Sequence, residues 1–168
     1  MAELTNRVAQ SGIRTVDLEE LAPKQKFADL DLKQYLFQGL VLREKEFRDA
    51  LASHDWTQYS GKVLLVYCSA DAIVPSWATM LVTSYAMAFA EEVFPGEMMM
   101  YLEQHYRRAI EQMDIEGYMD ARVVVKGCSK GTVPPGAYPE LVKRLQPVVR
   151  SLMFGEPCST VPVYKKPR

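Results

Sequence analysis

The sequence lacks the features that mark membrane, nucleic-acid-binding and secreted proteins. No apolar run reaches the roughly 18 residues that a membrane-spanning helix needs. The 20 lysine and arginine residues are balanced by 21 aspartate and glutamate residues, so the formal net charge is −1 and no basic surface for nucleic acid is expected. The first residues do not have the basic-then-apolar order of a signal peptide. These absences predict a cytoplasmic protein without nucleic-acid or membrane partners.

Cysteine is scarce, and the common catalytic motifs are absent. The 3 cysteines are an odd number and lie far apart in the chain, which argues against a disulfide framework and predicts reduced thiols. The sequence contains no nucleophile elbow, no P-loop and no dinucleotide-binding fingerprint. Separated cysteines in such a protein are buried small hydrophobic residues, metal ligands or nucleophiles. No recognisable reaction follows from the motifs.

The 3 cysteines share one local pattern. Each is followed by serine, and each Cys-Ser pair is followed within a few residues by Val-Pro, over residues 68–75, 128–134 and 158–162. The Val-Pro dipeptide occurs nowhere else in the sequence. Unrelated cysteines would not be expected to share this pattern, so we expect three similar loops that present three thiols. A valine before proline favours extended backbone, which would end each loop.

The pattern of apolar residues predicts an α/β fold. Hydrophobic residues make up 48% of the 168 residues, which suits one domain over residues 1–168. Period-two alternation predicts strands near 13–18 and 27–32, followed by a helix near 42–53. Strands and helices then alternate, with strands near 62–67, 93–94 and 121–126 and helices near 76–90, 97–113 and from Pro139. This order predicts a parallel or mostly parallel sheet with covering helices, preceded by an N-terminal strand and helix elaboration.

Two cysteines follow predicted strands of this sheet. Cys68 follows the first long apolar strand, and Cys128 follows the last. Functional groups gather at the carboxyl ends of parallel strands, so the two thiols would share one crevice if these strands are neighbours. Cys158 would join them only if the last helical region breaks at Pro147 into two short helices that fold back, because proline interrupts a helix.

Three converging thiolates would form a soft metal site. Zinc or an iron–sulfur cluster is the expected occupant, with Cys68, Cys128 and Cys158 as ligands. Three cysteines leave one coordination position open. Asp71 shares the loop of Cys68 and is the expected fourth ligand; a histidine, water or a ligand from a partner protein are the alternatives.

Two other interpretations remain open. In the first, the protein is a small α/β enzyme or sulfur acceptor with Cys68 as the nucleophile. The hydroxyl and backbone N–H of Ser69 would donate to its thiolate, and a helix that begins near Ser76 would lower its pKa. In the second, the protein has a structural or interaction role and its cysteines are simply buried.

Several segments together resemble a known family. They are residues 39–48, 54–56, 68–75, 126–128 and 155–162, spread over nearly the whole chain. They resemble an uncharacterised bacterial family, domain of unknown function 2480, which has no established activity. Its genes often lie beside those of the sulfur-mobilising (SUF) system of iron–sulfur cluster assembly. The resemblance therefore implies a role near iron–sulfur cluster assembly, with iron–sulfur assembly proteins as partners. Together with the three thiols, it favours a metal-binding accessory protein.

Overall fold

A computed structural model describes residues 12–126, 133–156 and 159–167 of the chain. The strands are β1 (Ile13–Val16), β2 (Lys26–Asp31), β3 (Leu36–Phe37), β4 (Val41–Leu42), β5 (Lys62–Tyr67), β6 (Glu92–Pro95), β7 (Arg122–Val125), β8 (Ser151–Glu156) and β9 (Ser159–Lys165). The helices are α1 (Glu44–Ser53), α2 (Ser76–Ala86), α3 (Met98–Glu111) and α4 (Ala137–Leu145). Short 3₁₀ helices occupy Leu18–Leu21, Leu32–Tyr35, Trp56–Tyr59 and Glu116–Tyr118. The chain divides into two compact units, Lys24–Tyr101 and Met1–Pro23 with Leu102–Arg168.

The Lys24–Tyr101 unit is built on a parallel sheet with the order β2-β5-β6. Its central strand β5 is buried on both faces, which explains the continuous apolar run of its sequence. Leu64 and Val66 face one apolar cluster, which also contains Phe47 of α1 and Val82 of α2. The opposite face of β5 contributes to a second cluster with Phe94 and Tyr101. A small hairpin of β3 and β4 completes the unit.

The other unit contains a four-stranded sheet with the order β1-β7-β8-β9. Strands β1, β7 and β8 are parallel, and β9 returns antiparallel to β8 at the edge. Alternate residues of the parallel strands, among them Val123 and Leu152, pack against α3 and α4, whose buried residues include Tyr106 and Leu141. Because the three parallel strands run in the same direction, their carboxyl ends all lie on the same side of this sheet. We call this side the carboxyl edge, which is distinct from the lateral edge that β9 forms.

The predicted α/β class is confirmed, since the strand pairing is largely parallel and helices alternate with strands. The predicted early strands and the first three predicted helices correspond to β1, β2, α1, α2 and α3, with bounds that differ by a few residues. The single-domain prediction for residues 1–168 stays a prediction. No helix within the described ranges is both long enough and apolar enough to cross a membrane.

The last quarter of the chain differs from its prediction. A helix does end before Pro147, with Gln146 as its C-terminal cap, but no second helix follows. The chain instead forms the β8–β9 hairpin. The N–H groups of Val148 and Val149 donate to the carbonyl oxygen of Leu145 in a turn after the helix, and β8 begins at Ser151. Pro162 is tolerated because β9 is an edge strand. The prediction of two short helices was therefore wrong, although proline interrupts the helix as expected.

We predict that Gly155→Ala strongly destabilises the protein. Gly155 lies in β8 with a φ of +124°, and an added Cβ would lie 2.5 Å from the carbonyl oxygen of Ser159. The free energy of unfolding, measured by urea denaturation, is expected to fall by about 2–4 kcal/mol. Gly117→Ala is the matched control, because an added Cβ there meets no described atom within 4 Å. An equal, small effect of both substitutions would contradict the hairpin geometry.

Candidate functional site

The serine after Cys68 is bound to a neighbouring strand. The carboxylate of Asp31, at the end of β2, accepts hydrogen bonds from the backbone N–H of Ser69 at 3.0 Å and from its hydroxyl. The same carboxylate accepts from the N–H of Lys33 at 2.9 Å and so caps the 3₁₀ helix Leu32–Tyr35. Burial raises the pKa of Asp31, but the hydrogen bonds from Ser69 and Lys33 have a larger combined effect in the opposite direction. The pKa of Asp31 is therefore below its ordinary value. Asp31 therefore connects the carboxyl ends of two paired strands.

This arrangement contradicts the expected activation of Cys68. The two donors expected to stabilise its thiolate, the N–H and hydroxyl of Ser69, both donate to Asp31 instead. The thiol of Cys68 itself donates to the carbonyl oxygen of Ala70 at 3.7 Å. The side chain is half-buried and packs against the apolar cluster formed around α1 and α2. In the described contacts Cys68 therefore behaves as a small hydrophobic residue.

The predicted metal ligands fall in different parts of the chain. Asp71 is exposed in the loop that leads to α2. Cys128 and Cys158 lie outside the described residues. Within the described ranges, no group of three or more His, Cys, Asp or Glu side chains is arranged to hold a metal ion. A site with three or more such ligands would have to include residues outside the described ranges.

The strands before Cys68 and Cys128 are not neighbours, so the condition under which the two thiols were expected to share a crevice is not met. Strand β5, before Cys68, is flanked by β2 and β6, whereas β7, before Cys128, is flanked by β1 and β8. The sequence did not reveal this, because β8, one of the two strands that pair with β7, was expected to be helical. The two strands that are neighbours are β7 and β8, with Val125 opposite Phe154 in a parallel register. Their carboxyl ends lead to Cys128 and Cys158 respectively.

Charged residues lie at this same carboxyl edge, and the sequence prediction had missed them. Asp17 follows β1 and Lys126 follows β7, and the Lys126 amine contacts the Asp17 carboxylate at 2.7 Å. Asp17 also accepts from the N–H of Glu19 at 3.0 Å, so it caps the 3₁₀ helix Leu18–Leu21. The hydrogen bond from Lys126 is the main cause that lowers the pKa of Asp17, and it raises the pKa of Lys126. Their position directly after strands was the available signal.

An apolar groove of about 500 Å³ opens beside the ends of β7 and β8. Val125 and Phe154, the register partners at these strand ends, both line it, together with Tyr138 and Val163. The ring of Tyr138 contacts that of Phe154 edge-to-face, with 5.6 Å between the centroids. Lys143 is the charged residue that lines the groove. The edge of the sheet thus combines an apolar wall with the Asp17–Lys126 ion pair.

Both histidines are engaged by protein groups. The Nδ1 atom of His54 lies 3.4 Å from the hydroxyl of Tyr35, and its Nε2 atom lies 2.9 Å from the hydroxyl of Tyr59. The Nε2 atom of His105 lies 2.8 Å from the carbonyl oxygen of Leu21. These contacts position the rings within the fold and do not favour either histidine as the remaining metal ligand.

Comparison with known proteins gives a family and no relative of known activity. The family described as "Protein of unknown function (DUF2480)" matches residues 2–166. No curated protein matches the chain, and no solved structure matches it. Its function must therefore be argued from its own residues.

We predict that Asp31 and Ser69 are energetically coupled. Asp31→Ala should lower the free energy of unfolding by about 1–2 kcal/mol, because it removes a helix cap as well as the contact with Ser69. Ser69→Ala should cost less, and the double variant should show a coupling energy of about 1 kcal/mol in urea denaturation. Ser53→Ala, which removes a hydroxyl on the exposed end of α1, should be additive with Asp31→Ala. Additivity of Asp31→Ala with Ser69→Ala would contradict the contact.

We predict that Lys126→Met raises the pKa of Asp17 toward its ordinary value of 3.8. A lowered folded-state pKa stabilises the protein above the unfolded-state value, and this contribution disappears as the pH falls through the folded-state pKa. The stability difference between the natural chain and the variant should therefore be present at neutral pH and shrink below about pH 4. Carboxyl NMR titration measures the pKa directly. Lys143→Met, which removes an ion pair with Glu140, should leave Asp17 unchanged.

Proposed function

Because the chain belongs to the family described as "Protein of unknown function (DUF2480)", whose description assigns no activity, we propose a function from its residues. The protein is a cytoplasmic accessory protein that binds zinc or an iron–sulfur cluster through cysteine thiolates. Cys128 and Cys158 are the thiolate pair on which this proposal rests. Cys68 and Asp71 stay predicted ligands that the same experiment tests.

The observation that carries the proposal is the parallel pairing of β7 with β8. Val125 and Phe154 are register partners about 5 Å apart, and both strands run toward the same carboxyl edge, where β7 ends at Val125 and β8 continues to Glu156. Cys128 follows Val125 by three residues, which limits its distance from the edge to about 11 Å. Cys158 directly precedes Ser159, which pairs with Glu156 at the end of β8. The described strands therefore support an approach of these two cysteines.

The surroundings of this edge suit a thiolate site. Glu156 supplies carboxylate oxygens at the end of β8, and zinc accepts oxygen ligands beside thiolates. Lys126 provides a positive charge that favours ionised cysteine nearby. The apolar groove beside Val125 and Phe154 could form the hydrophobic shell that limits solvent access to a cluster.

The family resemblance supplies the partner class in this proposal. Genes that lie beside those of iron–sulfur assembly suit a protein that receives, holds or delivers a metal or cluster for that system. A site with few protein ligands leaves coordination positions for a partner's ligand, which a transfer protein would need. The proposed partners are accordingly iron–sulfur assembly proteins.

We predict that protein purified anaerobically without added metal contains stoichiometric zinc or iron. Elemental analysis measures both metals, and visible absorption distinguishes a cluster from zinc. Cys128→Ser and Cys158→Ser should each reduce the metal content several-fold, because each removes a thiolate ligand. Cys68→Ser and Asp71→Asn should also reduce it if these residues complete the site.

Asp49→Asn is the control, since Asp49 is an exposed carboxylate on α1 and is remote in sequence from all strand ends. It should leave the metal content unchanged. Circular dichroism of each variant checks that the fold is retained. Metal content that is unaffected by both Cys128→Ser and Cys158→Ser would overturn the proposal.

A further inference from the structure

Helix α2 differs from the other helices in its lack of charge. Residues 72–90, which include all of α2, contain no Asp, Glu, Lys or Arg. Helices α1, α3 and α4 each contain several charged side chains. A surface helix normally places charged residues on its solvent side, and a helix without them is usually covered. One side of α2 is covered, because Ala78, Val82 and Ala86 are fully buried.

The opposite side of α2 is exposed and apolar. Five positions with helical spacing share this face: Ser76, Met80, Thr83, Ser84 and Met87. Met80 is 70% exposed and Met87 is 69% exposed. Ile73, three residues before the helix, is 89% exposed, and Phe89, three residues after it, is 40% exposed. We call the five helical residues the α2 outer face.

The polar groups of this region are already satisfied within the helix. The Thr79 hydroxyl donates to the carbonyl oxygen of Ser76 at 3.0 Å. The Thr83 hydroxyl donates to the carbonyl oxygen of Thr79 at 2.8 Å, and the Ser84 hydroxyl donates to the carbonyl oxygen of Leu81 at 2.8 Å. Hydroxyls that bond to their own helix do not need water as an acceptor. Removing water from the centre of the α2 outer face therefore leaves the hydroxyls of Thr83 and Ser84 with their acceptors.

We propose that the α2 outer face docks a second copy of this chain. Its pattern is symmetric about the point between Thr83 and Ser84, with Met80 and Met87 equally distant on either side. In an antiparallel pair of α2 helices related by a two-fold axis at that point, Met80 of each copy packs beside Met87 of the other. The small residues at the centre permit close approach of the two helices. A closed two-fold dimer needs this self-complementary arrangement.

The lack of charge favours a second copy over other partners. Two identical faces repel each other when they carry charge, and this face carries none. The outer face and the flanking Ile73 and Phe89 together expose four large apolar side chains. Two copies would then bury on the order of 1,000 Å², which is near the lower limit for a specific interface. We therefore expect a reversible dimer.

The first test measures the mass of the full chain by sedimentation over a range of concentrations. The natural chain should show a concentration-dependent dimer. Met80→Lys with Met87→Lys should raise the dimer dissociation constant by roughly 100-fold or more, because it places four ammonium groups in an apolar interface. Met119→Lys, at an exposed methionine outside α2, is the matched control and should leave the constant unchanged.

The second test uses a milder change that leaves the helix surface nearly intact. Thr83→Cys lies beside the two-fold axis, where the facing Cα atoms would be close enough for a disulfide between copies. Ser76→Cys lies about 11 Å along the helix from the axis, so its two copies would be about 22 Å apart. Under mild oxidation Thr83→Cys should form a covalent dimer in excess of that of the natural chain, and Ser76→Cys should not.

A monomer at all concentrations would overturn the proposal, and would leave a different protein as the occupant of the face. A dimer whose dissociation constant is unchanged by the two lysine substitutions in folded protein would also overturn the proposal. Equal cross-linking at positions 83 and 76 would also overturn it. The result is independent of the metal content of the protein, so this proposal and the proposed function can fail separately.

Discussion

Parallel strand pairing is the constraint on which the arrangement of this protein depends. A parallel pair needs a long connection that returns the chain to the same end of the sheet, and here that connection is a helix in each unit. Strand β5 is buried on both faces as a result, and β7 has no exposed apolar residue. The same constraint places the residues that follow the parallel strands at one edge of each sheet. Functional side chains are therefore expected at the carboxyl edges in both units.

The two units use the same local device at these edges. In each unit an aspartate at the end of a strand caps a 3₁₀ helix. Asp17 directly follows β1, and Asp31 is the last residue of β2. Each carboxylate also binds the residue that follows, or nearly follows, the adjacent parallel strand: Lys126 for Asp17 and Ser69 for Asp31. One aspartate thus ends a strand, begins a helix and connects two strand ends. The hydrogen bonds lower the pKa of both aspartates.

The sequence predicted those parts of the fold that local pattern determines. The apolar run at 62–67 matched β5 to the residue, and Pro75 before α2 fixed the start of that helix. The β8–β9 hairpin was missed because its alternation is weak and Pro162 argues against a strand unless the strand is known to be an edge. Without β8, one of the two neighbours of β7 could not be identified. The partners of Asp31 and Asp17 were missed for a related reason: Ser69 and Lys126 are brought to them by strand pairing across long sequence separations.

The shared Cys-Ser and Val-Pro pattern does not correspond to one shared loop structure. Val74-Pro75 and Val133-Pro134 precede helices, where proline is favoured, whereas Val161-Pro162 lies within β9. The common element is instead the position of each cysteine just after a strand. In the one described case, Ser69 serves to bind the strand end to Asp31, and the thiol of Cys68 packs inward. Ser159 instead begins β9 and pairs with Glu156, which places the residue that follows Cys158 beside the end of β8. Rigid placement of this kind is what a metal site requires of its ligands, and the β7–β8 pair is where the strand order provides it.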